Sequence, residues 1–358
     1  MKFPRCLLVS SLFTLCAAFL AMPTHADYRA GQCYDTAWDA FQNPDNSFRG
    51  KPFWSWNGKL RKEELLRQIE VLEEMGFGGF FMHSRTGLAT EYLGEEWFDL
   101  INVCADEAEK RNLEAWLYDE DRWPSGSAGG KATEDPRYQM KYLLMEIMDA
   151  AEFKWEERFI AAFSCTLEGI NYSALKRLDK ESSAPGEGRT VLAFSVKPMD
   201  SSSFYNGNTY LDTMNAEATQ HFIEITHDAY KKHCGDRIGT SIKGIFTDEP
   251  HRGMVMCHKV DQGGLSASER CTPWTPALPA AFQKEYGYDL LDHLPALFLR
   301  PEGQRIVRVK WEYMELIQKL FLENFAKPIQ KWCRENQMIL TGHALHEDTL
   351  GAQAVPCG

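Results

Sequence analysis

The sequence predicts an α/β fold: a (β/α)8 barrel of the TIM type, incomplete at about six βα units, with a small antiparallel β insertion. Three observations carry this. Short apolar runs at 78–85, 113–122, 242–251 and 338–348 each stop on a cluster of polar, ionisable residues. Buried parallel strands read this way when chemistry sits at their C-terminal ends. Amphipathic helical segments separate the first three strands, and the links between elements are short.

The elements follow in order. Residues 27–50 are irregular, and Pro52-Phe53-Trp54-Ser55-Trp56 is a first strand closed by an Asn57-Gly58 turn. The spacing of Leu65, Leu66, Ile69 and Leu72 predicts a helix over 62–75, capped by Gly76. A strand at 78–83 begins at once. Phe98, Ile101, Val103 and Ala108 mark a helix over 95–112, which leads into a strand at 113–118.

The rhythm breaks at about Asp135. Strand-like runs at 159–163 and 190–196 flank a polar stretch at 181–188, so residues 140–205 read as an antiparallel insertion on one barrel loop. The alternation resumes with a strand at Tyr210-Leu211-Asp212 and a helix from Ala216 to about His233. A strand at 242–248, a long loop at 250–275, and helices at about 276–298 and 302–335 precede the strand at 338–343. Residues 51–358 are therefore expected to form a truncated barrel.

The N-terminus reads as a secretory signal over 1–26. Lys2 and Arg5 form its basic region, residues 6–22 its apolar core, and Thr24-His25-Ala26 a small-x-small cleavage site. A periplasmic or secreted location is expected. The apolar core is too short to anchor the chain, and no later run is long and uncharged enough to span a bilayer. The formal charge of −12, or −14 without Lys2 and Arg5, argues against nucleic acid or an anionic membrane as partner. Ten Trp indicate a filled core with an aromatic surplus suited to stacking sugar rings. Eight of the ten Cys lie beyond the leader, where export permits disulfides. Cys257 and Cys271 share one loop and are the first candidates for pairing, while Cys104 and Cys333 read as buried thiols.

Four clusters could carry chemistry. In Thr247-Asp248-Glu249-Pro250-His251, Pro250 disfavours helical dihedrals at Glu249 and is expected to hold it extended at the strand end. A carboxyl packed among aromatics keeps its proton and suits general acid work. In Asp119-Glu120-Asp121-Arg122-Trp123, carboxylates, a guanidinium and an indole suit recognition of sugar hydroxyls, or oxygen ligation of Ca²⁺. In His343-Ala344-Leu345-His346-Glu347-Asp348, the spacing of helical zinc proteases is absent; His343 suits a substrate hydrogen bond and Glu347 a second carboxylate. His83-Ser84-Arg85 adds a strand-end imidazole and guanidinium. Walker, dinucleotide and nucleophile-elbow motifs are lacking, and no metal ligand is assigned. Paired carboxyls, aromatics and export match glycoside hydrolysis.

Pro52-Phe53-Trp54-Ser55-Trp56-Asn57-Gly58, residues 76–85 and Tyr118-Asp119-Glu120-Asp121-Arg122-Trp123-Pro124-Ser125-Gly126 together resemble bacterial glycoside hydrolase family 106, the α-L-rhamnosidase-like proteins. Asp248-Glu249-Pro250 and Gly342-His343-x-x-x-Glu347 fit the same pattern. The resemblance covers roughly 50–358, apart from the insertion. It implies a (β/α)8 catalytic domain followed by β-rich domains, inverting hydrolysis, and a calcium ion helping to hold the sugar. On this reading Glu249 is the general acid, and the base is Glu347 or a carboxylate beyond residue 358. His83, Arg85, Asp119, Glu120, Arg122, Trp123, Asp248, His251 and His343 position an oligo- or polysaccharide. Two alternatives stand beside it: a retaining β-galactosidase-like barrel, with carboxyls about 5–5.5 Å apart rather than about 6.5–9.5 Å, and a catalytically inactive carbohydrate-binding barrel.

Overall fold

The computed structural model describes residues 37–180, 186, 188–253, 259–260, 263–264, 269–343 and 345. The expected leader over residues 1–26, Cys257 and Glu347 lie outside them. The chain divides into two units, Met1–Asp45 and Asn46–Gly358. Within the first, α1 (Ala37–Gln42) stacks Trp38 on Phe41 at 5.7 Å between ring centroids.

The second unit runs β1 (Phe53–Gly58), α2 (Lys62–Glu74), β2 (Gly79–Leu88), α3 (Glu95–Lys110), β3 (Glu114–Tyr118), β4 (Lys141–Asp149), β5 (Phe159–Glu168), β6 (Asn171–Arg177) and β7 (Thr190–Pro198). It continues with α4 (Ala216–Ile225), α5 (His227–Cys234), β8 (Ile242–Asp248), β9 (Lys259–Val260), β10 (Gly263–Gly264) and β11 (Glu269–Trp274). Last come α6 (Leu278–Tyr286), α7 (Pro295–Phe298), β12 (Arg300–Pro301), α8 (Arg308–Phe321), α9 (Lys327–Glu335) and β13 (Ile339–His343).

Five strands form one sheet in the order β1-β2-β3-β8-β13, with every neighbouring pair parallel. Strand alternation sorts the side chains. Trp54 and Trp56 of β1 are buried, and the Trp56 ring meets Trp97 of α3 edge-on at 5.2 Å. Phe53 points to the opposite, concave face, where its ring reaches Phe81, Phe246 and His343. The sheet is thus curled into a half-barrel with its ring-lined side inward. Gly244 permits close strand packing: a Cβ there would lie 2.2 Å from the Trp116 ring and 2.4 Å from the Ile339 carbonyl oxygen.

Two sequence expectations change here. Tyr210-Leu211-Asp212 is no strand of this sheet; Leu211 makes an isolated antiparallel bridge to Gln139. The reason lies in its side chains. Tyr210 is committed to a loop carbonyl, its hydroxyl donating to Ser125 O at 2.6 Å, while Asp212 accepts from the Thr275 hydroxyl at 2.7 Å. Among the described residues the parallel sheet therefore has five strands rather than six.

The antiparallel region is also larger than an insertion at 140–205. Its six strands run β11-β4-β7-β5-β6-β12, antiparallel except for β12, which pairs parallel with β6, so β11 and β12 join from far downstream. β11 forms an edge, where Pro273, lacking an N–H, is tolerated. Leu143, Met145, Phe163 and Phe194 pack there with Phe282 of α6 and Tyr313, Leu316 and Ile317 of α8. Cys104 and Cys333 are buried free thiols, as expected. No helix among the described residues is long and apolar enough to cross a membrane.

Candidate active site

The C-terminal ends of β2, β3, β8 and β13 bring together most of the residues named from the sequence. At the end of β8, Asp248 is buried; its Oδ2 accepts from the Tyr118 hydroxyl at 2.8 Å and its Oδ1 lies 3.3 Å from His343 Nδ1. The Asp248 N–H donates to Ser125 Oγ at 2.7 Å. The Asp119 carboxyl accepts from the hydroxyls of Ser125 and Thr247, each at 2.5 Å. One serine hydroxyl thus couples the ends of β3 and β8.

Glu249 follows directly and differs from expectation in backbone. It is not extended: φ is +46°, in the left-handed region. Pro250 bars the right-handed helical region as anticipated, and the chain escapes through the left-handed one, at a cost of order 1–2 kcal/mol for a residue with a Cβ. What holds it there is the Glu249 N–H, which donates to the His343 carbonyl at 3.1 Å and extends the β8–β13 pairing by one bond. Strain of this kind is sustained where surrounding contacts over-determine it. The side chain is anchored too, with the indole N–H of Trp123 donating to Glu249 Oε2 at 2.8 Å. Trp123 is 37% exposed and meets Phe204 edge-on.

Glu120, expected to help position a sugar, is turned toward the loop that carries it. Its Oε2 accepts from the amides of Gly126, Ser127 and Ala128 at 3.0, 2.7 and 2.8 Å, and its Oε1 from those of Asp121 and Gly129. Its carboxylate is spent on the loop's own backbone and organises the segment that presents Arg122 and Trp123. Burial pushes this carboxyl up to about 7 against those five amides. Asp119 is pushed further, to about 8, by burial that its two hydroxyl partners only partly offset.

His83 is buried with its ring 3.6 Å from that of Tyr118 between centroids, and its Nε2 lies 3.4 Å from the Arg122 carbonyl. Burial depresses it to about 4, so it is a neutral imidazole at neutral pH. Arg85 extends into solvent at the side of the site. Arg122 pairs with Asp121 at 3.2 Å and also donates to Asn206. His251 lies further off, its ring stacked on Tyr210 at 4.2 Å and its Nδ1 accepting from the Gly253 N–H. Glu347 falls outside the described residues.

Tyr118, Ser125 and Thr247 belong to the cluster but were not assigned roles from the sequence, although all sit within the quoted runs. His227 gave no signal. It lies on α5, fully buried, with Nδ1 2.7 Å from the Thr226 hydroxyl and Nε2 4.0 Å from Asp119. Among the described residues no group of three or more His, Cys, Asp or Glu is arranged to hold a metal ion. The carboxylates of Asp119 and Glu120 are turned to hydroxyls and amides of the protein itself.

No family model matches this chain. A Formosa agariphila protein provisionally named a beta-glucuronidase is 19% identical over 361 aligned residues, spanning 83% of this chain and 29% of the relative. The structure of a rhamnosidase from Novosphingobium sp. PP1Y superposes with a TM-score of 0.53 at 13% identity, over 88% of this chain and 48% of that one. The chain therefore spans under a third of the relative's length and about half of the rhamnosidase's. At this identity the superposition establishes the fold: a mixed α/β architecture with a curled parallel sheet, similar to that of the rhamnosidase.

Proposed function

We propose that this chain carries the active site of an exported glycoside hydrolase of the α-L-rhamnosidase-like type, with Glu249 as its general acid. The observation that bears most weight is the Glu249 side chain, held by an indole N–H on a strained strand end beside a buried carboxylate, Asp248. A general acid must be aimed before substrate arrives, and a fixed hydrogen-bond partner does this. Family 106, inverting chemistry, Glu347 as base and further β-rich domains belong to the same reading. So do export to the periplasm or medium and a polysaccharide substrate. His83, Arg85, Arg122, Asp248 and His343 would face the sugar. Asp119 and Glu120 would act from beneath, holding the loop that carries Trp123. The names of the relative and of the structural neighbour, both glycoside-cleaving, agree with this class.

The test is hydrolysis of a panel of nitrophenyl glycosides, α-L-rhamnoside included, by the protein and its Glu249→Gln variant. Loss of a general acid lowers turnover by roughly 10²–10⁴-fold. Turnover retained by the variant would move the acid elsewhere, and sugar binding without turnover would favour a carbohydrate-binding barrel.

A further inference from the structure

Beside the strand ends lies a cavity of about 490 Å³, large enough for a sugar unit, whose wall includes Arg85, Tyr92, Arg122, Lys131, Glu91 and Asn206. We propose that it is a subsite for an anionic sugar, one bearing a carboxylate or a sulfate ester. This inference rests on the glycoside-hydrolase reading for its substrate class.

The argument is one of uncommitted charge. Two carboxylates line the cavity with three cations, but they are not equivalent. Asp121 is consumed locally: it accepts from Ser84 Oγ at 2.9 Å, Arg122 Nε at 3.2 Å and Asn206 Nδ2 at 3.1 Å. Glu91 stands 3.9 Å from Lys131 with its side chain 80% exposed, a solvated pair that binds neither partner firmly. Arg85 has no hydrogen bond or ion pair with any described residue. Arg85 thus presents donors to the cavity that no described residue takes up, and Lys131 adds a charge held only by that solvated pair. This occurs in a chain of 51 acidic and 39 basic residues, where spare cations are not the background. A guanidinium recognises a carboxylate or sulfate through paired N–H donors, and the lysine adds a point charge.

The cavity also connects to the chemistry. Arg122 lines the cavity and is followed in the chain by Trp123, whose indole N–H donates to Glu249. On this reading a sugar in the cavity would neighbour the one at Glu249, and the charge would select which neighbour the scissile residue carries.

The experiment is titration of the full chain with glucuronate, glucose 6-sulfate and glucose, read by calorimetry or NMR at low ionic strength, where an exposed cation acts most strongly. At least one anion should bind roughly tenfold more tightly than glucose. The Arg85→Ala/Lys131→Ala double variant should erase that preference, and Lys131→Arg should keep it. Preference for glucuronate alone assigns a carboxylate, and for the sulfate alone a sulfate ester. Equal binding of all three, no binding of any, or a preference that survives the double variant would overturn the proposal. Because the readout is binding, failure of the hydrolase reading shows separately, as anion preference without turnover.

Discussion

Phe53 and Phe246 stand with ring centroids 4.7 Å apart and planes at 85°, although β2 and β3 lie between their strands in the sheet. In a flat sheet, strands three places apart are roughly 14 Å from one another. The contact therefore measures the curl, and Phe53 is the side chain that bridges it, touching Tyr118 and His343 as well. Edge-to-face aromatic pairs contribute about 0.5–1.5 kcal/mol beyond area burial. A double-mutant cycle of Phe53→Ala and Phe246→Ala, followed by urea denaturation, should give a coupling energy of about 1 kcal/mol. A coupling near zero would mean that the two rings are placed by their own strands, not by each other.

Glu120 should matter more for stability than any other carboxylate at the strand ends. Truncation to Ala would strand five amide donors in a buried loop, each costing about 1–3 kcal/mol unless water enters. Glu120→Ala is expected to lose about 3 kcal/mol or more in chemical denaturation, with hydrogen exchange at Gly126, Ser127 and Ala128 accelerated well before global unfolding. Glu120→Gln should be intermediate, since its amide nitrogen must face donors. Uniform protection of the loop in the Ala variant would show that the loop holds itself.

Four of the parallel strands were legible as apolar runs ending on ionisable residues, and β1 by the Asn57-Gly58 turn that closes it; the helical period of the segments between them sets those apart. The same logic misled at Tyr210-Leu211-Asp212, where three residues looked like a strand yet each side chain answers to a tertiary partner. β11 could not be read, because Glu269-Arg270-Cys271-Thr272-Pro273-Trp274 has no strand signature; its edge position tolerates what a central strand would not. At the site, the residues that converge were legible, but their division of labour was not. In the sequence Glu120 and Asp119 are chemically similar to Glu249, and only the backbone amides and hydroxyls of the fold tell a loop anchor from a rim carboxylate. His227 reaches Asp119 from a helix whose pattern marks it simply as interior.

Asp119 makes stability fall as the pH is raised. Folded, it keeps its proton up to about pH 8; unfolded, it releases it near 4. Between those limits the folded state binds the extra proton, so rising pH favours unfolding. Histidines run the other way, since His83 at about 4 and His227 at about 3 take up protons only on unfolding, but that contribution ends near pH 6.5. The window from 6.5 to 8 therefore isolates the carboxyls, with Glu120, at about 7, adding to the decline. A loss of order 1–2 kcal/mol from Asp119 is expected across it, and Asp119→Asn should remove that part. The check is urea denaturation at pH 6.5 and 8 for both proteins; identical slopes would mean that Asp119 is ionised throughout.

The Trp123–Glu249 contact separates aiming from binding. Trp123→Phe keeps a ring at the rim but removes the N–H that holds Glu249 Oε2 at 2.8 Å. If Glu249 is the acid, releasing it costs orientation rather than affinity, so kcat should fall by about tenfold while KM stays within about twofold. Trp123→Ala also removes a ring that is 37% exposed and free to stack on a sugar, so KM should rise as well. Neither should reach the loss from Glu249→Gln, which removes the proton itself. Steady-state kinetics of the three variants on one substrate would rank them. A Trp123→Phe enzyme with unchanged kcat would show that the left-handed backbone at Glu249, pinned by the His343 carbonyl, aims the carboxyl on its own.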